Sequence, residues 1–219
     1  MTDTQSQWID AAKEQVDTPA LLIDLDILER NIAGMAALAA NTGIRLRPHV
    51  KTHKSPLIAH RQIAAGAEGV CCAKVGEAEV MVAGGVRDIM VTTPVVTPEK
   101  IRRLTALAGQ ATVHVVADDV QNVRRLSEAA VEAGATLHLV VEIDVGQHRC
   151  GLAPGPAAAD LADEIACLPG LTFRGLQGYQ GRSNKWWNSI GETRRFATLS
   201  ISCSKARMRF AGEGTPWKY

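Results

Sequence analysis

Between Ala20 and Gly181 the chain repeats one pattern: a short run of β-branched or apolar residues, then a longer stretch with helical spacing. That alternation is the signature of a parallel α/β fold, because parallel strands need a crossover and a helix is the usual one. The strand candidates are Leu21–Asp24, Arg45–Lys51, Gly69–Ala73, Asp88–Thr93, Thr112–Ala117, Leu137–Asp144 and Leu171–Gln180. Helices are expected near 26–41, 56–65, 76–83, 98–108, 119–133 and 156–168. Asp118 or Asp119 is placed to cap one helix, and Thr97-Pro98-Glu99 puts proline at the first turn of another. Gly66, Gly84-Gly85, Gly109 and Gly134 close others. Neither GxGxxG nor GxxxxGK[ST] follows a strand, which removes the two usual nucleotide-binding readings of an open doubly wound sheet. The better expectation is a (β/α)8-type TIM barrel. Counted from Arg45, six barrel strands are visible where eight are needed, so the barrel is read as incomplete.

After Gly181 the alternation stops. Residues 182–219 hold three of the four tryptophans (Trp186, Trp187, Trp217) and scattered basic residues. The expected organisation is an N-terminal arm over 1–16, a barrel domain over 17–181 and an atypical basic, tryptophan-containing tail over 182–219. With 46% hydrophobic and 21% charged residues among 219, the composition suits one sizeable core. Twenty-four Lys+Arg against twenty-three Asp+Glu leave a net charge of +1, so no strong field draws the chain to nucleic acid or membrane. The polar N-terminus has neither a signal-peptide core nor an Arg-rich transit character, and no apolar run approaches the ~18 residues of a membrane span. Five cysteines without a CxxC pair suit a reducing compartment, and a cytoplasmic location is expected. Cys71 and Cys72, being adjacent, should face opposite sides of a strand as packing residues.

The C-terminal ends of the strands, where parallel barrels gather their chemistry, carry three notable groups. Lys51 ends the Arg45–Lys51 run with His49 two residues before it, on the same face if the run is a strand. A lysine near a partly buried edge can lose its proton and become a nucleophile toward aldehydes. Arg149 lies just beyond Leu137–Asp144, and Tyr179 ends Leu171–Gln180. Taken singly, each has an ordinary reading: a solvated basic edge, a surface arginine, a core tyrosine. Together they put a lysine, an arginine and a tyrosine on one rim.

Six separated motifs, in order, resemble the D-threonine aldolase / D-serine dehydratase family. They are Asp17-Thr18-Pro19-Ala20-Leu21-Leu22-Ile23-Asp24-Leu25-Asp26 with Glu29-Arg30-Asn31-Ile32; Arg47-Pro48-His49-Val50-Lys51-Thr52-His53-Lys54; Gly69-Val70-Cys71-Cys72-Ala73-Lys74-Val75; Gly85-Val86-Arg87-Asp88-Ile89; Glu142-Ile143-Asp144 through Arg149-Cys150-Gly151; and Gln177-Gly178-Tyr179-Gln180-Gly181. The resemblance implies a pyridoxal-phosphate enzyme of the alanine racemase-like fold, with the barrel followed by a β-rich domain. It implies that Lys51 binds pyridoxal 5'-phosphate covalently, with His49 beside the ring as a packing or proton-relay group. Arg149 would lie near the ring's phenolic oxygen, and Tyr179 would contact the ring or phosphate, with Gln177 sharing its face. Arg47, deeper, would be a structural ion-pair member, with Asp24 and Asp26 as its partners or as helix caps. The implied activity is retro-aldol cleavage of D-threonine-like β-hydroxy D-amino acids to glycine and an aldehyde. The alternatives are D-serine dehydratase-type elimination, a noncatalytic pyridoxal-phosphate-binding protein, or an inactive truncated remnant. Family members pair as dimers and hold a divalent metal through their C-terminal domain. The ligands for that metal, the glycine-rich phosphate loop and the β domain are not found here, so no metal is expected and truncation of a longer enzyme is the working expectation.

Overall fold

The computed structural model describes residues 12–181. Expectations for the tail over 182–219 and for most of the N-terminal arm lie outside the described residues. After a short 3-10 turn at Lys13–Gln15 come α1 (Leu25–Thr42), α2 (Pro56–Ala64), β1 (Val70–Cys72), α3 (Val75–Ala83), β2 (Asp88–Val91), α4 (Pro98–Ala108), β3 (Thr112–Ala117), α5 (Val120–Glu132), β4 (Leu137–Ile143), α6 (Pro156–Cys167) and β5 (Leu171–Gly178). The local chemistry sets the helix ends. Asp24 caps α1 by accepting from the Ile27 N–H at 2.9 Å, and Asp119, rather than Asp118, caps α5 by accepting from Asn122 N–H at 2.7 Å. Pro56, Pro98 and Pro156 stand in first turns, where no N–H is needed.

The five strands form one parallel sheet in the order β1-β2-β3-β4-β5. A doubly wound sheet reverses its order partway, whereas a barrel adds each strand beside the last. The observed order is that of a partial (β/α)8 barrel. Alternate strand residues divide its two faces. Val70, Cys72, Ile89, Val91, Val113, Val115, Ala117, Leu137, Leu139, Val141 and Ile143 belong to the core, together with Ala78, Met81, Leu104, Leu126 and Ile165 from the helices. The intervening residues, Cys71, Asp88, Met90, His114, Val116, His138, Val140 and Glu142, therefore face the barrel interior. Cys71 and Cys72 fall on opposite faces as expected. Burial, with the Glu77 charge second, pushes the Cys72 thiol up to about 12, so it is inert packing.

Two expected strands are corrected. Arg45–Lys51 forms only a single bridge, His49 with Cys71, made by Cys71 N–H to the Pro48 carbonyl (2.8 Å) and Val50 N–H to the Cys71 carbonyl (2.8 Å). The next rung of a parallel ladder would require an N–H at position 48, and proline has none. Leu21–Asp24 is not a strand: Leu21 is fully exposed and Asp24 is used as a cap. A strand exists only where a neighbour pairs with it, and among the described residues none lies alongside. The sheet thus has five strands plus a bridged edge, not six. The helix that follows shares this isolation, since Ile32 alone is buried in α1 while Leu25, Ile27, Met35 and Leu38 stay exposed.

At the N-terminal end of the sheet the interior is charged. Arg47 holds Asp88 through two hydrogen bonds of 2.5 and 3.2 Å, with Glu68 at 3.9 Å and His114 Nε2 at 3.4 Å from Asp88. Arg47 is thus the structural ion-pair member, but its partner is Asp88 and not Asp24 or Asp26. The pair passes over Gly69, where a Cβ would lie 2.5 Å from Arg47 Nη1. Burial opposes the Asp88 charge, yet His114 and Arg47 more than offset it and hold the carboxyl at about 2. A depressed carboxyl stabilises the fold above its unfolded value of 3.8 and loses that contribution as pH falls through the folded value. Asp88→Asn should therefore cost about 1–3 kcal/mol near neutral pH. In urea unfolding the gap from wild type should close as pH falls below about 4. An equal gap at both pH values would show that Asp88 acts by packing alone.

Candidate active site

The Lys51 segment is a turn and not the end of a regular strand. Val50 is fully buried, and its carbonyl accepts from both His53 N–H (3.2 Å) and Lys54 N–H (2.7 Å), with Lys54 at φ +54°. Lys51 opens this turn at the C-terminal rim, exposed, and no carboxylate pairs with it among the described residues. His49 is half-buried behind it. Its Nδ1 lies 3.3 Å from the Lys51 backbone N–H and its Nε2 lies 3.2 Å from Thr92 Oγ1, at the end of β2. The two side chains are neighbours through the backbone of the turn, in place of the shared strand face expected. Burial first, then the Lys51 charge, lower the His49 pKa, while Glu77 works in the other direction. Glu77, buried in the first turn of α3, accepts from Ala73 N–H at 2.7 Å.

A second group stands at the opposite edge of the sheet, on the same C-terminal rim, built on β4 and β5. Register pairs Glu142 with Gln177, and the interior face carries both. Gln177 Nε2 donates to Glu142 Oε2 at 2.5 Å, and Arg149 Nη2 lies 3.9 Å from Glu142 Oε1. The Arg149 guanidinium stacks over the Tyr179 ring, 4.9 Å from its centroid. Glu142 is 2% exposed, and burial raises its pKa against the pull of Gln177 and Arg149.

The loop that carries Arg149 is organised by Asp144. Its carboxylate accepts from the N–H groups of Gly146 and His148, both at 2.9 Å, and pairs with His148 Nδ1 at 2.8 Å. The far end of the loop returns to the sheet through Leu152, bridged to Ile143, while Gly151 N–H donates to Asp118 Oδ2 at 2.9 Å. Gly151 has φ +102°, and a Cβ there would lie 2.7 Å from Asp144 N. Only glycine fits this return.

The structure thus brings Arg149, Tyr179 and Gln177 together, and separately His49 with Lys51. Among the described residues no hydrogen bond or ion pair joins the two groups. Sequence reasoning missed Thr92, Glu142 and Asp144 as members of the site. The Asp-x-Gly spacing at 144–146 was a readable turn signal, and Glu142 was the one acid in an apolar strand run. Among the described residues no group of three or more His, Cys, Asp and Glu side chains could hold a metal ion, and no helix is long and apolar enough to cross a membrane.

Three histidines, His49, His53 and His138, have pKa values lowered from 6.5, each with burial as the largest cause. A histidine that resists protonation when folded makes the unfolded chain the better proton acceptor below 6.5. Stability should therefore fall as pH drops from about 7 to about 5, and His49→Gln should flatten part of that slope in a thermal-unfolding series. A slope unchanged by the substitution would place the effect on the other two rings.

The Alanine racemase, N-terminal domain model matches residues 23–209. The chain is 46% identical over 167 residues to a D-threonine aldolase of Arthrobacter sp, covering 76% of this chain and 44% of that protein. It is 46% identical over 204 residues to a 3-hydroxy-D-aspartate aldolase of Paracoccus denitrificans, covering 92% and 53%. Among solved structures it superposes on a D-threonine aldolase from Filomicrobium marinum with a TM-score of 0.76 and 50% identity, over 77% of this chain and 45% of that one. The chain spans about half the length of these curated relatives. With a family model matched over most of its length and a partial parallel barrel of the same kind, the chain belongs to the alanine racemase N-terminal domain family.

Proposed function

We propose that this chain forms the cofactor-binding part of a pyridoxal-phosphate-dependent lyase that cleaves the Cα–Cβ bond of D-threonine-like β-hydroxy D-amino acids, giving glycine and an aldehyde. One observation carries the reading. An exposed lysine without an acidic partner among the described residues stands on a tight turn at the C-terminal rim, and a cation held over an aromatic ring stands on the same rim. The 46% identity to proteins named as aldolases of D-threonine and of 3-hydroxy-D-aspartate supports the reaction class.

The donor set fits an aldehyde-bearing, anionic cofactor. Lys51 offers the amine that such an aldehyde requires, and among the described residues no acid stands in an ion pair with it. Bound there, pyridoxal phosphate supplies an aldehyde carbon for Lys51 and a ring that accepts the electron pair released when the bond at Cα breaks. Arg149 is a permanent cation whose direction is fixed by the Tyr179 ring below it and by Glu142 beside it, so it can oppose negative charge on an oxygen of the ring. Gln177, held by Glu142, lies on the interior face, and Tyr179 supplies the aromatic ring under the Arg149 guanidinium. His49 stands against the Lys51 backbone as the group nearest the amine's own turn. The proposed site is therefore Lys51 as the reacting amine with His49 packed behind its turn, with Lys51, Arg149, Tyr179 and Gln177 holding the cofactor and a small D-amino acid as substrate.

The test is direct. Purified chain mixed with pyridoxal phosphate should develop a visible absorbance band that borohydride fixes covalently, and peptide mapping should place the label on Lys51. Lys51→Ala should abolish the band, and Arg149→Ala should weaken cofactor retention by about tenfold or more. Aldehyde release from D-threonine supports the aldolase reading, whereas ammonia release in its place assigns an elimination. A chain that shows no Lys51-dependent band refutes the proposal.

A further inference from the structure

Thr92 lies beside the Lys51 turn, and the proposed chemistry does not use it. Its hydroxyl has a single hydrogen. Two groups stand 3.2 Å from its oxygen: the Cys72 carbonyl oxygen, which already accepts the Thr92 backbone N–H at 2.9 Å, and His49 Nε2. Which of them receives the hydrogen depends on the tautomer of the His49 ring. On the opposite side of the ring the Lys51 backbone N–H points at Nδ1 from 3.3 Å. An N–H can only donate, so Nδ1 must present its lone pair. In the neutral ring the imidazole hydrogen then sits on Nε2, where Thr92 Oγ1 can accept it while the hydroxyl hydrogen goes to the Cys72 carbonyl.

We propose that Thr92 is a positioning residue: by accepting the His49 Nε2–H it fixes the tautomer whose Nδ1 receives the Lys51 N–H, and so holds the turn that presents the Lys51 amine. The anchors on both sides are rigid, since Val50 and Cys72 are fully buried in the core and Val50 N–H and Cys71 N–H tie the two backbones together. Turning the ring would give up its contacts with Thr92 Oγ1 and the Lys51 N–H, and the Cys71 backbone holds it as well. A proton added at Nδ1 would set two N–H groups against each other and release the Lys51 contact. The charged groups that face the ring are Lys51 on its own segment and Glu77 from α3. Burial and then the Lys51 charge lower the ring's pKa, which favours the neutral form, while Glu77 and a hydrogen bond to the Cys71 backbone act the other way. The inference rests on the proposed function only for what the amine does; the relay from Cys72 through Thr92 and His49 to Lys51 is a property of the folded chain.

The relay is tested by long-range 1H–15N NMR on chain labelled at histidine nitrogens, with His49 assigned from a His49→Gln sample. In wild type near neutral pH, His49 is expected with Nε2 protonated and Nδ1 bare. Thr92→Val keeps the shape of the side chain but removes the acceptor, and should move both nitrogens toward averaged values, while Thr92→Ser should restore the wild-type pattern. In parallel, the rate at which Lys51 is trapped by pyridoxal phosphate and borohydride should fall about fivefold in Thr92→Val and recover in Thr92→Ser. An Nδ1-protonated His49 in wild type, or an unchanged tautomer in Thr92→Val, overturns the inference. Should Thr92→Val fail to fold, the wild-type spectrum and Thr92→Ser still decide. A wild-type tautomer as expected together with no trapping at Lys51 upholds the relay and refutes the functional reading alone.

Discussion

Everything at the rim depends on one contact, the packing of alternate strand residues against α3, α4, α5 and α6. Leu137, Leu139, Val141 and Ile143 on β4 reach the helices, so His138, Val140 and Glu142 have only the barrel interior to face. A slip of one residue would exchange these sets, exposing four apolar side chains and forcing a carboxylate into the helix layer. The cost of either error exceeds any single polar contact at the rim. The site's geometry is therefore fixed by hydrophobic burial on the face that carries no chemistry.

That division explains what could be read from the sequence. Runs such as Thr112–Ala117 and Leu137–Ile143 are short, apolar and bounded by turn residues, and they became strands within a residue or two of expectation. The Arg45–Lys51 run had the same look, but regular pairing there turned on whether one N–H existed, and Pro48 removes it. Leu21–Asp24 had strand composition and no neighbour to pair with. Composition reports what a segment would bury; pairing depends on what stands next to it, and that is not local information. The site residues divide similarly. Lys51, Arg149 and Tyr179 were visible as reactive types at strand ends. Glu142, Asp144 and Thr92 act through register, loop closure and hydrogen bonds across 35 to 43 positions of sequence separation or a local turn, so only the folded chain reveals them.

The two halves of the rim are held by different physics. The Arg149 half is a charge arrangement: a buried carboxylate, an amide and an aromatic face direct a cation, and Asp144 shapes the loop that delivers it. Each partner is itself anchored to β4 or β5, so the guanidinium keeps its orientation without touching anything beyond the two strands. The Lys51 half is a hydrogen-bonded turn whose fixed point is the backbone of β1. A long, mobile side chain gains direction there only from the place where its Cα is held, because nothing pairs with its ammonium among the described residues.

This difference determines how the rim can work as a unit. Arg149 is oriented at its head group, by Glu142 and Tyr179, and Lys51 at its root, by His49 and the Val50 carbonyl. A lysine fixed only at its root keeps the freedom of its four methylenes, which an amine needs if it is to form and release a covalent bond. An arginine held at its head group keeps a constant field around that position. Were the assignments exchanged, a salt bridge would hold the lysine protonated and a loose arginine would lose its direction to solvent. Among the described residues an acid stands beside Arg149 and none pairs with Lys51, and that difference sets the two cations apart.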